Sequence, residues 1–221
     1  MKVKLPGWWV ADRRVSGFKF VRKYGRMMAL HEQYDISGIE LDDDSYTVVQ
    51  GVFRNKYKAL DNADATVLRG KQELFKLKEK FPFVDADGEE VFRVTANSII
   101  DIAGDYALSD ADTDEPVVIL DNDFSLLQDT WTIRDPQTRE ALAEIDSRGA
   151  GVNLARNLLP FGELIPHKYE ITDPEGGHVG GIDGQFTLLK DTYEVTIDDA
   201  SRVPKEPILA AAMVIDAIQG N

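Results

Sequence analysis

Hydrophobic and polar positions alternate in short runs over most of the chain, and the runs recur. A five-residue unit of aromatic, any, apolar, any, Asp reads YKALD from Tyr57, FPFVD from Phe81, YALSD from Tyr106, WTIRD from Trp131 and YEITD from Tyr169. A sixth copy, YEVTI from Tyr193, lacks the closing Asp. The starts are 24, 25, 25, 38 and 24 residues apart. Period-two alternation puts the aromatic and the apolar residue on one face of a strand. The Asp falls where the chain should turn, because its carboxylate can hydrogen-bond the backbone two residues on. Turn-forming stretches follow several copies: DADGEE, DADTDEP, DPQTRE and DPEGGH. A second apolar run comes next, such as EVFRV (90–94) or PVVIL (116–120). Each unit therefore predicts two antiparallel strands, and six units predict about twelve.

Open sheets of that size curl or close, and closure removes exposed edges. The pattern thus predicts a mainly β chain forming a closed antiparallel barrel. A barrel of about twelve strands has a lumen too wide for strand side chains alone to fill. The tail supplies a filler. Residues Ile208 to Ile215 are apolar without a break. A helix that is apolar on all sides is buried on all sides. The predicted helix covers 205–219, with Pro207 and Glu206 suited to its first turn and Gly220 to its stop. The alternative, a surface or oligomer helix, would need more polar positions than Asp216 and Gln219.

These features carry a resemblance. The segments KQELFKLKEKFPFVDADGEEVFRV (71–94), YALSDADTDEPVVIL (106–120), WTIRDPQTREALAEI (131–145) and KYEITDPEGGHVGGIDGQFTLLKDTYEV (168–195), followed by the tail helix, are similar to the LURP-one-related proteins. These belong to the Tubby C-terminal-like superfamily, with the phospholipid scramblases as more distant relatives. The resemblance covers about residues 46–219 and implies a twelve-stranded barrel around a central helix. It implies no activity, since the prokaryotic members have none that carries over. Tubby proteins bind phosphoinositide head groups, but that site's motif does not map residue by residue onto this chain. The departure is the long interval before Tyr169, which holds SRGAGVNLARNLLPFGELIPHK.

Charge divides the chain. Its formal net charge is -14, yet residues 1–34 carry eight basic groups against Asp12 and Glu32. Beyond residue 80 the only lysines are Lys168, Lys190 and Lys205. Such an acidic, lysine-poor chain resembles the proteins of a salt-in halophilic archaeon, where a Debye length of ~3 Å at 1 M salt relieves self-repulsion. An ordinary acidic cytosolic protein is the alternative. There is no Cys, so neither disulfides nor thiolate chemistry enter. No stretch is long and apolar enough for a membrane-spanning helix, and the N-terminus lacks a signal-peptide core. The expected location is the cytoplasm, with peripheral membrane contact open. The expected organisation is a basic arm or extension over 1–34 and a barrel over 35–221. The arm is expected to be peripheral, and whether residues 1–27 belong to the native protein is left open.

Candidate chemistry is sparse. Three His occur, at 31, 167 and 178, with no metal-ligand spacing. No nucleophile elbow or phosphate loop is present. DADTDE (110–115) has the D-x-D-x-D of a calcium loop, but Glu115 stands where the Gly should be, so a turn is expected. No cofactor, metal or catalytic residue is predicted, and an enzyme working through carboxylates at a barrel mouth is the weakest reading. The anomaly is a basic island. Residues 54–80 hold eight basic groups against four acidic ones. Arg54, Lys56 and Lys58 alternate on one strand face, as do Arg69 with Lys71, and Lys76 with Lys78 and Lys80. An outward patch of this kind can hold phosphates, lipid head groups being preferred to nucleic acid. A solvated face offsetting acidic neighbours is the alternative. A second candidate is a protein partner for the apolar interval 154–165, through Leu158, Leu159 and Phe161. A loop covering one barrel mouth is the other reading of that interval.

Overall fold

The computed structural model describes residues 34, 36, 38–51, 56–71, 80–96, 106–124, 129–147, 168–186, 191–200 and 203–219. Twelve strands run in chain order: β1 (Ser45–Gln50), β2 (Lys56–Leu60), β3 (Thr66–Lys71), β4 (Lys80–Val84), β5 (Glu90–Ala96), β6 (Tyr106–Asp110), β7 (Pro116–Phe124), β8 (Asp129–Arg134), β9 (Ala141–Ser147), β10 (Lys168–Thr172), β11 (His178–Phe186) and β12 (Asp191–Ile197). They form a closed barrel in which each strand pairs antiparallel with its neighbours in sequence, and β1 pairs with β12. One helix, α1 (Lys205–Gln219), follows.

The repeated unit is the even-numbered strand. Its third residue, Ala59, Phe83, Leu108, Ile133, Ile171 or Val195, is buried in every copy. So are the leading aromatics Tyr57, Trp131, Tyr169 and Tyr193. The Asp that ends five of the copies builds a hairpin turn each time. The Oδ1 of Asp61 accepts from the N–H of Ala63 and Ala65. That of Asp85 accepts from Asp87, Gly88 and Glu89. The same bonds run from Asp112 and Thr113 to Asp110, from Gln137 and Thr138 to Asp135, and from Glu175 and Gly177 to Asp173. Each turn also places one residue at positive φ just before its last position: Asp64, Gly88, Asp114, Arg139 and Gly176. Each of the five hairpins has its register shift beside the turn, as between Ala59 and Leu60 or Ile133 and Arg134. All five turns therefore share one design and lie at one end of the barrel.

The sixth copy ends in Ile197 instead of Asp for a physical reason. No hairpin turn follows β12, whose other neighbour is β1. Ile197 is buried, its N–H donates to Asp44 O (2.8 Å), and the chain turns inward through buried Val203 and Pro204. Helix α1 starts at this same end, where Lys205 Nζ donates to Asp43 O (2.6 Å) and reaches Asp44 Oδ1 (2.9 Å). From Ile208 to Ile215 every side chain is buried. Fifteen residues make a helix about 22 Å long, comparable with the strands around it. Each large side chain it buries stabilises the fold by about 1.5–3 kcal/mol. Ile208, Leu209, Met213, Val214 and Ile215 are such residues, while Ala210, Ala211 and Ala212 leave room for the wall.

The segment before β1 contributes to the same core. Tyr34, Ile36, Ile39 and Leu41 are buried there. Tyr34 Oη donates to Asp135 Oδ2 at 2.6 Å, tying this segment to the β8–β9 turn. Tyr34 is the last residue of the predicted arm, and the rest of that arm lies outside the described residues. Between β3 and β4 a glycine is needed: a Cβ on Gly70 would lie 2.7 Å from the Phe83 ring, which stacks on Phe92.

Candidate functional site

The barrel's outer face is charged. Lys58, Arg69, Arg93, Arg134, Glu144, Glu170 and Glu194 all occupy outward positions between inward core residues. A lipid-facing barrel carries apolar side chains there. No helix among the described residues is long and apolar enough to cross a membrane.

Cations on this face differ in their company. Arg93 Nε meets Glu90 Oε1 and its Nη1 meets Asp114 Oδ1, both at 2.7 Å. Arg134 meets Asp121 and Lys168 meets Asp183, each at 2.9 Å, and at the barrel end Lys205 meets Asp44 at the same distance. The strand pair β2–β3 is different. Register sets Lys58 opposite Arg69, so like charges face each other on the outer surface, and pairs the Lys56 and Lys71 backbones next along. Lys58 and Arg69 are exposed. Among the described residues neither has a carboxylate partner. Arg69 Nη2 instead donates to the carbonyl oxygens of Asp85 and Ala86 in the β4–β5 turn. That bond holds its guanidinium in place without cancelling its charge. Like charges directly opposite in a sheet are destabilising, by up to about 1 kcal/mol per pair. Arg54, Lys76 and Lys78 lie outside the described residues, and so do Leu158, Leu159 and Phe161.

Two further groupings stand out that the sequence pattern did not bring together. His178, which heads β11, lies between two carboxylates: Nδ1 is 2.7 Å from Glu170 Oε1 and Nε2 is 2.9 Å from Asp198 Oδ2. The bonds to Asp198 and then Glu170 raise its pKa, so the imidazolium is favoured. With both ring nitrogens engaged, this histidine is a clamp across β10, β11 and the exit from β12. The second grouping is Tyr34 with Asp135. Burial, then the bond to Asp135, lifts the Tyr34 phenol well above the usual tyrosine range. Burial pushes the Asp135 carboxyl up, but bonds from the Thr138 backbone, Tyr34 and the Gln137 backbone outweigh it and hold the group below its ordinary value. Among the described residues no cluster of His, Asp and Glu has the arrangement of a metal site. The DADTDE stretch is a turn whose first carboxylate is committed to its own backbone.

A twelve-stranded antiparallel barrel closed around its C-terminal helix is the Tubby-like architecture. The family model for LURP-one-related proteins matches residues 66–216, and the chain belongs to that family. The X-ray structure of a protein from Arabidopsis thaliana is similar, with a TM-score of 0.50 at 10% sequence identity, covering 79% of this chain and 91% of that one. At that identity the likeness speaks for the fold alone. No curated protein matches the sequence.

Proposed function

We propose that the protein is a non-catalytic binding protein that engages phosphate-bearing anions, lipid head groups in particular, through the outer face of β2–β3. The observation that carries this reading is the exposed cross-strand pair Lys58–Arg69, with Lys56 and Lys71 as the next register partners. In a chain of net charge -14, the cations Arg93, Arg134, Lys168 and Lys205 each sit beside a carboxylate, whereas Lys58 and Arg69 have none among the described residues. An anion placed over the pair offsets their mutual repulsion. Near an anionic membrane each Lys or Arg contributes about 1 kcal/mol, so four of them supply about 4 kcal/mol at low salt. Peripheral contact with a membrane from the cytoplasmic side, without a cofactor, fits this reading.

The test is flotation with neutral and anionic liposomes at low and multimolar KCl. The full chain is compared with a variant in which Arg54, Lys56, Lys58, Arg69 and Lys71 are changed to Gln, and with a chain starting at residue 35. Binding to anionic vesicles that the Gln set abolishes supports the reading. Its persistence in multimolar KCl then indicates head-group recognition over diffuse attraction. Binding lost only on removal of residues 1–34 assigns it to the arm. No binding, or binding untouched by the Gln set, overturns the proposal.

A further inference from the structure

Among the described residues, the inside of the barrel holds buried polar atoms that its packing does not account for, Tyr46 Oη and a neighbouring pair on β7 and β8. Trp131 is 1% exposed, and its indole Nε1 has no hydrogen-bond acceptor among the described residues. Asn122 Oδ1 is likewise buried without a donor. The two residues are direct partners in the β7–β8 register, so their side chains leave the sheet together on the inward face. Directly opposed residues have Cβ atoms about 5 Å apart. The unit aromatic of the preceding even strand forms a wall beside them, with the Tyr106 ring centroid 6.1 Å from that of Trp131. Tyr106 is itself half-buried, and that burial raises its phenol's pKa.

A buried donor and a buried acceptor left side by side each carry a desolvation penalty, and native interiors rarely leave both unmet. They need not bond each other. A group that accepts from the indole N–H and donates to the amide oxygen satisfies both at once. We propose that a hydroxyl oxygen is seated inside the barrel between Trp131 Nε1 and Asn122 Oδ1, contributed by a resident water or by the alcohol of a small bound molecule. A hydroxyl is the smallest neutral group with one acceptor and one donor function. A carboxylate or a fully deprotonated phosphate could accept from the indole N–H but has no hydrogen to donate to Asn122 Oδ1, and an ammonium fails in the opposite sense. The guest is therefore uncharged, which separates it from the anion proposed for the outer face. The two rest on different residues and can fail independently.

The experiment uses the full chain with 15N-labelled tryptophan. Trp131→Phe identifies the indole resonance. A cross-peak from the Trp131 indole proton to water, with the sign of a long-lived contact, is expected. Asn122→Leu, with the same branching at Cγ but without the acceptor, should abolish that cross-peak while the thermal transition remains cooperative. Native mass spectrometry of the purified protein distinguishes the sources. A bare mass with the water cross-peak identifies the guest as water. An added mass that Trp131→Phe removes identifies it as a small molecule. Should either variant fail to fold, a crystal structure of the unchanged protein decides, with an oxygen within hydrogen-bond distance of both atoms as the expected result. Absence of both the cross-peak and any added mass overturns the proposal. So does a direct bond between Nε1 and Oδ1, or a protein side chain filling the place.

Discussion

Replacing Tyr34 by Phe removes one oxygen and leaves the ring. That oxygen donates to Asp135 Oδ2 at 2.6 Å from a residue only 4% exposed, across 101 residues of sequence. A hydrogen bond to a charged group contributes about 1.5–3 kcal/mol. For a chain of this size each kcal/mol moves the melting temperature by about 2–4 °C, so Tyr34→Phe should lower it by about 3–12 °C at neutral pH. Differential scanning calorimetry reads this directly. The acid limb adds a second signature. Asp135 has a depressed pKa in the folded protein. Its contribution is thus fully present above the unfolded value of about 3.9 and is lost as pH falls through the lower folded value. The gap between wild type and Tyr34→Phe should narrow over that same range. An Asp135→Asn variant should shrink the effect of Tyr34→Phe, because the acceptor is no longer charged. A change below about 0.5 kcal/mol, or a gap independent of pH and of Asp135, would refute the view that this residue straps the segment before β1 to the barrel.

Leu209→Ala should cost about 2–5 kcal/mol in urea unfolding, because the side chain is fully buried in the helix that fills the lumen; a cost under 1 kcal/mol would argue against a packed central helix. His178 should make stability fall with rising pH: its folded pKa is raised, so its contribution is complete below about 6.5 and is lost as pH rises through the folded value. A titration of melting temperature should show this slope in the wild type and its loss in His178→Gln.

Local rules account for what could be read in advance. Tyr57, Tyr106, Trp131, Tyr169 and Tyr193 mark the strands, and Asp61, Asp85, Asp110, Asp135 and Asp173 mark the turns, because strand alternation and aspartate turns are short-range effects. The tail helix was equally legible, since an unbroken apolar run has no surface solution. Contacts set by closure were not. Nothing near Tyr34 points to Asp135, and nothing near His178 points to Asp198. Both partners arrive through the ring of strands. The sixth unit shows the limit most clearly. Its missing Asp was visible, but the reason lies in β1, almost 150 residues away. For the candidate site, alternation raised the expectation that Lys56 and Lys58 share a face, whereas the pairing of Lys58 with Arg69 needed the register.

The core of this protein is the last described element to be synthesised. Until residues 205–219 emerge from the ribosome, the strands that precede them can exist only as a sheet without a filler. Contacts of long sequence separation, such as β1 with β12, form slowly. An open sheet with unpaired edges is also exposed to aggregation. The strong negative charge over most of the chain then has a task before any folded state exists: it keeps growing chains apart until residues 205–219 are free to fill the barrel. Removal of residues 205–219, and with them the buried run Ile208 to Ile215, should leave a chain that never acquires an interior.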